Sequence, residues 1–158
     1  MNPQHLPARI VSGGQTGVDQ AALSVAICLG LEHGGWCPKG RRCEAGTIPA
    51  RFLLTPMPSA SYAARTRQNV IDSDATLILH RGKLTGGTLL TSTIAHELVR
   101  PLFLVDLAGA VDAYLVRQWL QTEEITTLNI AGPRESSCPG IYDEVCAVLK
   151  TILPKARR

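Results

Sequence analysis

Aromatic residues make up only 4% of this 158-residue chain. That is too few for the platforms on which single-stranded nucleic-acid modules stack their bases. Charge is sparse as well. Asp, Glu, Lys and Arg together amount to 18%, with a formal net charge of +3, so the electrostatic footprint of a nucleic-acid binder is missing. Part of that excess lies in Lys155, Arg157 and Arg158, which read as a solvated tail. No apolar run nears the ~20 residues of a membrane span, and the N-terminus lacks the apolar segment of a signal peptide. The five cysteines (Cys28, Cys37, Cys43, Cys138, Cys146) are odd in number and contain no CxxC pair, which argues against a disulfide framework. The histidines are scattered, so no structural zinc pattern emerges. A reducing, cytoplasmic setting is expected.

What remains is a globular composition, 45% apolar, in a chain long enough to bury a core without staples. One domain over residues 1–158 is the simplest expectation. Short apolar runs at 8–11, 75–80, 102–105 and 127–131 read as strands buried on both faces. Residues 31–36 and 52–55 are weaker strand candidates. Helical stripes separate the runs: Val18, Ala21, Ala22, Val25, Ala26 and Leu29; then Leu90, Ile94 and Leu98; Val111, Leu115 and Trp119; and Ile141, Val145, Val148 and Ile152. Residues 66–71 read as part of a further helix that ends near Asp72-Ser73-Asp74. Strand alternating with helix predicts an α/β fold, a Rossmann-like three-layer sandwich around a mostly parallel sheet of about five strands.

Residues 34–59 break this rhythm, with four prolines (Pro38, Pro49, Pro56, Pro58) and the basic Lys39, Arg41 and Arg42. Connections longer than ~12–15 residues are uncommon in compact domains and are often functional. One reading folds this segment over a site; the other leaves it a solvated basic loop. Cys37 and Cys43 lie within it, where they could ligate a metal or simply be buried.

Glycines occur at three strand-to-helix connections. The first is Ser12-Gly13-Gly14-Gln15-Thr16-Gly17-Val18-Asp19, the second Gly82-Lys83-Leu84-Thr85-Gly86-Gly87-Thr88, and the third Gly132-Pro133-Arg134-Glu135-Ser136-Ser137. Glycine lets the chain turn sharply and approach an anion, and the unpaired amides of the following helical turn then face it. A phosphorylated small molecule is the ligand class this predicts. Thr85 and Thr88 add hydroxyls, although Thr88 reads equally well as a helix cap. Arg134 has two readings, a forked grip on phosphate or a salt bridge to Glu135 or another acid. Asp19 would repel a phosphate, so facing the pocket it would accept from a ribose, an amine or a pterin ring. No nucleophile elbow and no Walker lysine is present.

Ser12 to Gln20, Gly35-Trp36-Cys37-Pro38-Lys39-Gly40-Arg41-Arg42, Leu84-Thr85-Gly86-Gly87-Thr88 and Gly132-Pro133-Arg134-Glu135-Ser136 together resemble the putative molybdenum carrier family, a circularly permuted, YpsA-like branch of the SLOG superfamily. The resemblance spans nearly the whole chain. It implies a Rossmann-type sandwich, a homo-oligomer, and a pocket for molybdenum cofactor (molybdopterin) or a related nucleotide-like ligand. It also implies a molybdoenzyme as recipient. Two departures stand out. Cys43-Glu44-Ala45-Gly46 replaces the Ala-Glu-Asp-Gly common in the family. Thr88-Leu89-Leu90-Thr91-Ser92 lacks the glutamate that nucleotide-cleaving relatives place after their glycine motif.

The first expectation is therefore a binding protein that stores or carries molybdenum cofactor without altering it. Its contacts would be Gly13, Gly14, Gln15, Thr16, Gly17, Asp19, Lys39, Arg41, Thr85, Gly86, Gly87, Thr88, Arg134, Glu135 and Ser136. The alternatives are a phosphoribohydrolase-like enzyme, needing an acid such as Asp19, Glu44 or Glu135 beside the sugar, and a nucleotide-sensing module. No metal ligands and no catalytic residues are assigned.

Overall fold

The apolar runs at 8–11, 75–80 and 127–131 become the three central strands of one parallel sheet. The computed structural model describes residues 6–156; Arg157 and Arg158 of the basic tail lie outside the described residues. Strands β1 (Arg9–Val11), β2 (Glu32–Gly34), β7 (Ala75–His80), β8 (Leu102–Asp106) and β9 (Thr127–Ala131) form this sheet in the order β2-β1-β9-β7-β8. Every pairing is parallel.

Strand β7 is buried at all its positions, as a strand covered on both faces must be. Its alternate residues Ala75, Leu77 and Leu79 join Ile10, Leu128 and Ile130 in the main core. That core is closed by helices α1 (Val18–Leu29), α4 (Ala113–Thr122) and α5 (Ile141–Ile152). The opposite pleat is more polar: Asn129 donates to the Thr76 hydroxyl at 3.2 Å. There α2 (Tyr62–Ile71) and α3 (Gly86–Glu97) pack through a smaller cluster around Val70, Ile94 and Ala95. The result is the expected Rossmann-like α/β sandwich.

Residues 66–71 fall within helix α2, which begins a turn earlier at Tyr62 and ends at its C-cap Asp72 as expected. Ser61 caps it by accepting from the Ala64 amide at 3.2 Å, and its apolar signal was confined to the last turns. The weak strand candidates divide. From 31–36 come β2 and β3 (Trp36–Cys37), and β3 pairs in parallel with β6 (Thr55–Pro56). Between them β4 (Arg42–Cys43) and β5 (Gly46–Thr47) make a small antiparallel hairpin.

The proline-rich excursion has its own apolar cluster, in which Cys37, Cys43, Ile48, Phe52 and Leu54 gather around Leu23 of α1. Arg41 holds it together, donating to the carbonyls of Pro49 (3.0 Å), Phe52 (2.8 Å) and Leu54 (3.3 Å).

Chain direction sets the site. From β1 the chain moves through α1 to one edge of the sheet; from β7 it moves through α3 to the other; β9 is inserted between them. This divergence opens a crevice outside the carboxyl ends of the strands, the usual ligand position in open α/β sheets.

Candidate functional site

Three connections meet above β1, β9 and β7 around a cavity of about 300 Å³. The first loop contributes Gln15 and Asp19 to its wall, the second Thr85, Gly86, Gly87 and Thr88, and the third Gly132, Pro133 and Arg134. A larger cavity of about 730 Å³ lies at the other end of the sheet, between residues 6–8, 30–32 and 154–156. It is at the amino ends of β1 and β2, away from the glycine connections.

The three connections are built differently. In the first, glycine serves close packing. A side chain on Gly14 (φ +83°) would strike Ile48 and Leu54 at 2.7 Å. One on Gly17 (φ +79°) would strike the backbone of Glu135 at 2.7 Å. The loop is locked to its neighbours. Val18 donates its amide to the Pro133 carbonyl (3.2 Å), and Glu135 donates its amide to the Thr16 hydroxyl (3.2 Å). The Thr16 amide is taken by the Gln15 side chain (3.1 Å) and the Gln15 amide by Asp19 (3.2 Å). Gly13, Gly14, Thr16 and Gly17 thus shape the site from behind and are not among its wall residues.

The second connection is open. Among the described residues, the amides of Gly86, Gly87 and Thr88 have no hydrogen-bond partner, and the first amide engaged is Leu89, which donates to Thr85 at 3.2 Å. Thr85 holds the N-cap position without capping through its side chain. A β-carbon added at Gly86 (φ +52°) or Gly87 would meet nothing within 4 Å. Asp106 steadies the approach to this turn, accepting from Gly82 (3.2 Å) and Ala108 (2.9 Å). A helix start with free amides carries about half a unit of positive charge and attracts anions.

In the third connection, Glu135 caps α5, its carboxylate accepting from Gly140 (2.6 Å) and Tyr142 (3.0 Å). Ser136 and Arg134 turn instead toward Glu44, on the hairpin between β4 and β5. The Glu44 carboxylate accepts from the Ser136 hydroxyl (2.5 Å), the Ser136 amide (3.0 Å) and the Thr16 hydroxyl, with Arg134 4.0 Å away. The Ser136 and Thr16 hydroxyls hold its carboxyl below the usual carboxylate range.

Two residues outside the expected ligand contacts add to the wall, Glu44 having been expected only as an acid for the cleavage alternative. Arg65 reaches across from α2 and pairs with Asp19 at 3.4 Å, the side chains being 13% and 6% exposed. Its Nε is buried without a partner among the described residues. Burial pushes the Asp19 carboxyl above its ordinary value; Arg65 and the Gln15 amide act against that shift. Glu44 is the second. The readable signal for Arg65 was a polar stripe, Tyr62, Arg65, Thr66 and Asn69, at the i, i+3, i+4, i+7 spacing of one helix face. Glu44 offered no such signal, because its partners lie 28 and 92 positions away.

The structure therefore gathers Gln15, Asp19, Thr85, Gly86, Gly87, Thr88 and Arg134 around one cavity, with Glu135 and Ser136 just behind it. Lys39 and Arg41 stand outside the wall, Lys39 on the exposed surface and Arg41 engaged within the excursion. Cys37 and Cys43 are buried in the cluster beneath.

A family model, the circularly permutated YpsA SLOG family, matches residues 10–153. No curated protein matches the chain. A solved structure of a protein named putative molybdenum carrier protein, from Syntrophus aciditrophicus SB, is 42% identical, with 93% of this chain and 95% of that chain covered and a TM-score of 0.91. The family match spans all the motifs that build the cavity, and the shared fold extends over nearly the same residues. The chain belongs to the circularly permutated YpsA SLOG family.

Proposed function

We propose that this protein binds and carries a small phosphorylated molecule in the cavity above β1, β9 and β7, and that the guest is molybdenum cofactor. The observation that supports this most directly is the unpartnered start of α3. Three amides at Gly86, Gly87 and Thr88 face a cavity whose wall also holds Arg65 and Arg134. Such a start suits the phosphate of a molybdopterin. The cavity volume falls at the small end of ligand pockets, roughly 300–1,000 Å³. Among the described residues no group of three or more His, Cys, Asp and Glu is placed to hold a metal ion. In this reading molybdenum is therefore cargo, held by the pterin's own sulfur atoms, and passes to a recipient molybdoenzyme.

Carrying suits the wall better than cleavage. Hydrolysis of an N-glycosidic bond needs a carboxylate free to act beside the sugar. Asp19 is paired with Arg65, and Glu44 is gripped by Ser136 and Thr16.

Native mass spectrometry of the purified protein, followed by oxidation and pterin fluorescence, tests the proposal. A bound mass matching molybdopterin with the matching emission is the expected result. A bound mononucleotide, together with release of free base from a nucleotide panel, would replace the carrier with a nucleotide-processing enzyme.

A further inference from the structure

The grip on Glu44 is unusual for a residue in its place. Glu44 sits on an exposed hairpin whose neighbours Ala45, Gly46 and Thr47 are all exposed, yet its side chain is only 20% exposed. The donors come from two other connections. The Thr16 hydroxyl is set by the Glu135 amide, and Ser136 offers both its hydroxyl and its amide. Arg134 stands by at 4.0 Å with a side chain 54% exposed, so its forked guanidinium is not closed on the carboxylate. This is a built receptor for an oxyanion. A carboxylate presents two oxygens to it, and a tetrahedral anion presents one more for Arg134 to grip.

We propose that the Thr16–Ser136–Arg134 cradle is a second anion subsite, for a phosphate-like group of the guest, and that Glu44 competes for it as an internal plug. The proposal rests on the reading above in one respect, that the adjoining cavity takes an acidic guest. Its class is thereby narrowed to a form of the guest that carries a second oxyanion besides the phosphate on the α3 amides. Displacement of Glu44 leaves the excursion anchored, because Cys43 stays buried in the cluster beneath. The Glu44 side chain has to leave the cradle, and a larger swing of the turn would also break the Glu44 amide's bond to the Gln15 side chain (2.8 Å) and the Cys43–Gly46 pairing.

Inorganic phosphate is the probe, titrated by calorimetry into the wild-type protein and into Glu44→Ala. Removing the plug is expected to tighten phosphate binding by about tenfold or more, the effect of deleting a tethered competitor. Adding Ser136→Ala to Glu44→Ala should cancel the gain, whereas adding Gly87→Asp should leave it. Equal affinity in wild type and Glu44→Ala overturns the proposal. So does a gain abolished by Gly87→Asp and untouched by Ser136→Ala, which would leave the α3 subsite, and the carrier reading, standing. If Glu44→Ala does not unfold cooperatively, Glu44→Gln decides by the same criterion, since it keeps the hairpin's side-chain length and drops the charge.

Discussion

The guanidinium of Arg65 lies directly over the α-carbon of Gly13, so that a methyl group at residue 13 would come within 2.8 Å of Nε and closer still to the rest of the group. Gly13 lies in the connection after β1 and Arg65 on α2, and the absence of a side chain on one lets the other reach Asp19. Gly13→Ala should therefore act on Asp19 rather than on the loop. Arg65 is displaced and a buried carboxylate loses its cation. The expected loss is about 1–3 kcal/mol in urea unfolding, the range for removing a charged hydrogen-bond partner. An Arg65→Ala change in the Gly13→Ala background should then add little, because both changes remove the same pairing.

Asp19 has a pH signature that Asp19→Asn removes. Burial raises its carboxyl above 3.8 in the folded protein. A raised folded pKa means that its contribution to stability is fully present below that unfolded value and is lost as pH rises through the folded one. The stability of the wild type relative to Asp19→Asn should therefore fall as pH rises above 3.8 and then level off. A constant offset between the two proteins across that window would refute the account of Asp19.

Glu44 should show the opposite slope. Hydrogen bonds from Ser136 and Thr16 hold its carboxyl below 4.5. Its contribution is present above that value and is lost as pH falls through the folded one. Denaturation of wild type and Glu44→Gln in parallel should give curves that converge in acid, and curves that diverge there would count against the grip described above.

Gly87→Asp separates binding from folding. A β-carbon at this position meets nothing within 4 Å, and a carboxylate in the first turn of α3 is favoured by the helix dipole by roughly 0.3–1 kcal/mol. The melting temperature should hold or rise slightly while retention of the phosphorylated guest falls at least about tenfold. Unchanged retention, read by native mass spectrometry, would remove the start of α3 from the site.

Glu135→Ala should do the reverse. Its carboxylate caps α5 through Gly140 and Tyr142, and loss of a cap costs about 0.5–2 kcal/mol. Stability falls, and guest binding should change less than with Gly87→Asp.

The alternation of apolar runs and helical stripes was enough to predict the parallel sheet, because strands buried on both faces are largely apolar, and β7, buried at every position, is apolar at Ala75, Leu77, Ile78 and Leu79. The three glycine connections could be read as one rim for the same reason: in such a sheet every strand-to-helix turn exits on the same side. Only the later part of α2 was legible as helix, because its first turns carry polar residues toward the cavity.

Local pattern therefore decided which elements form and on which edge of the sheet a ligand would lie, since periodicity and turn chemistry act between near neighbours in the chain. Which glycine turn is open was decided only by folding. Gly14 and Gly17 are as permissive as Gly86 and Gly87, but residues 48, 54 and 133–135 crowd the first pair and nothing crowds the second. The pairing of Arg65 with Asp19 and of Glu44 with Ser136 likewise joins residues 46 and 92 positions apart. Contacts at that range are set by how the layers pack, and no local propensity records them.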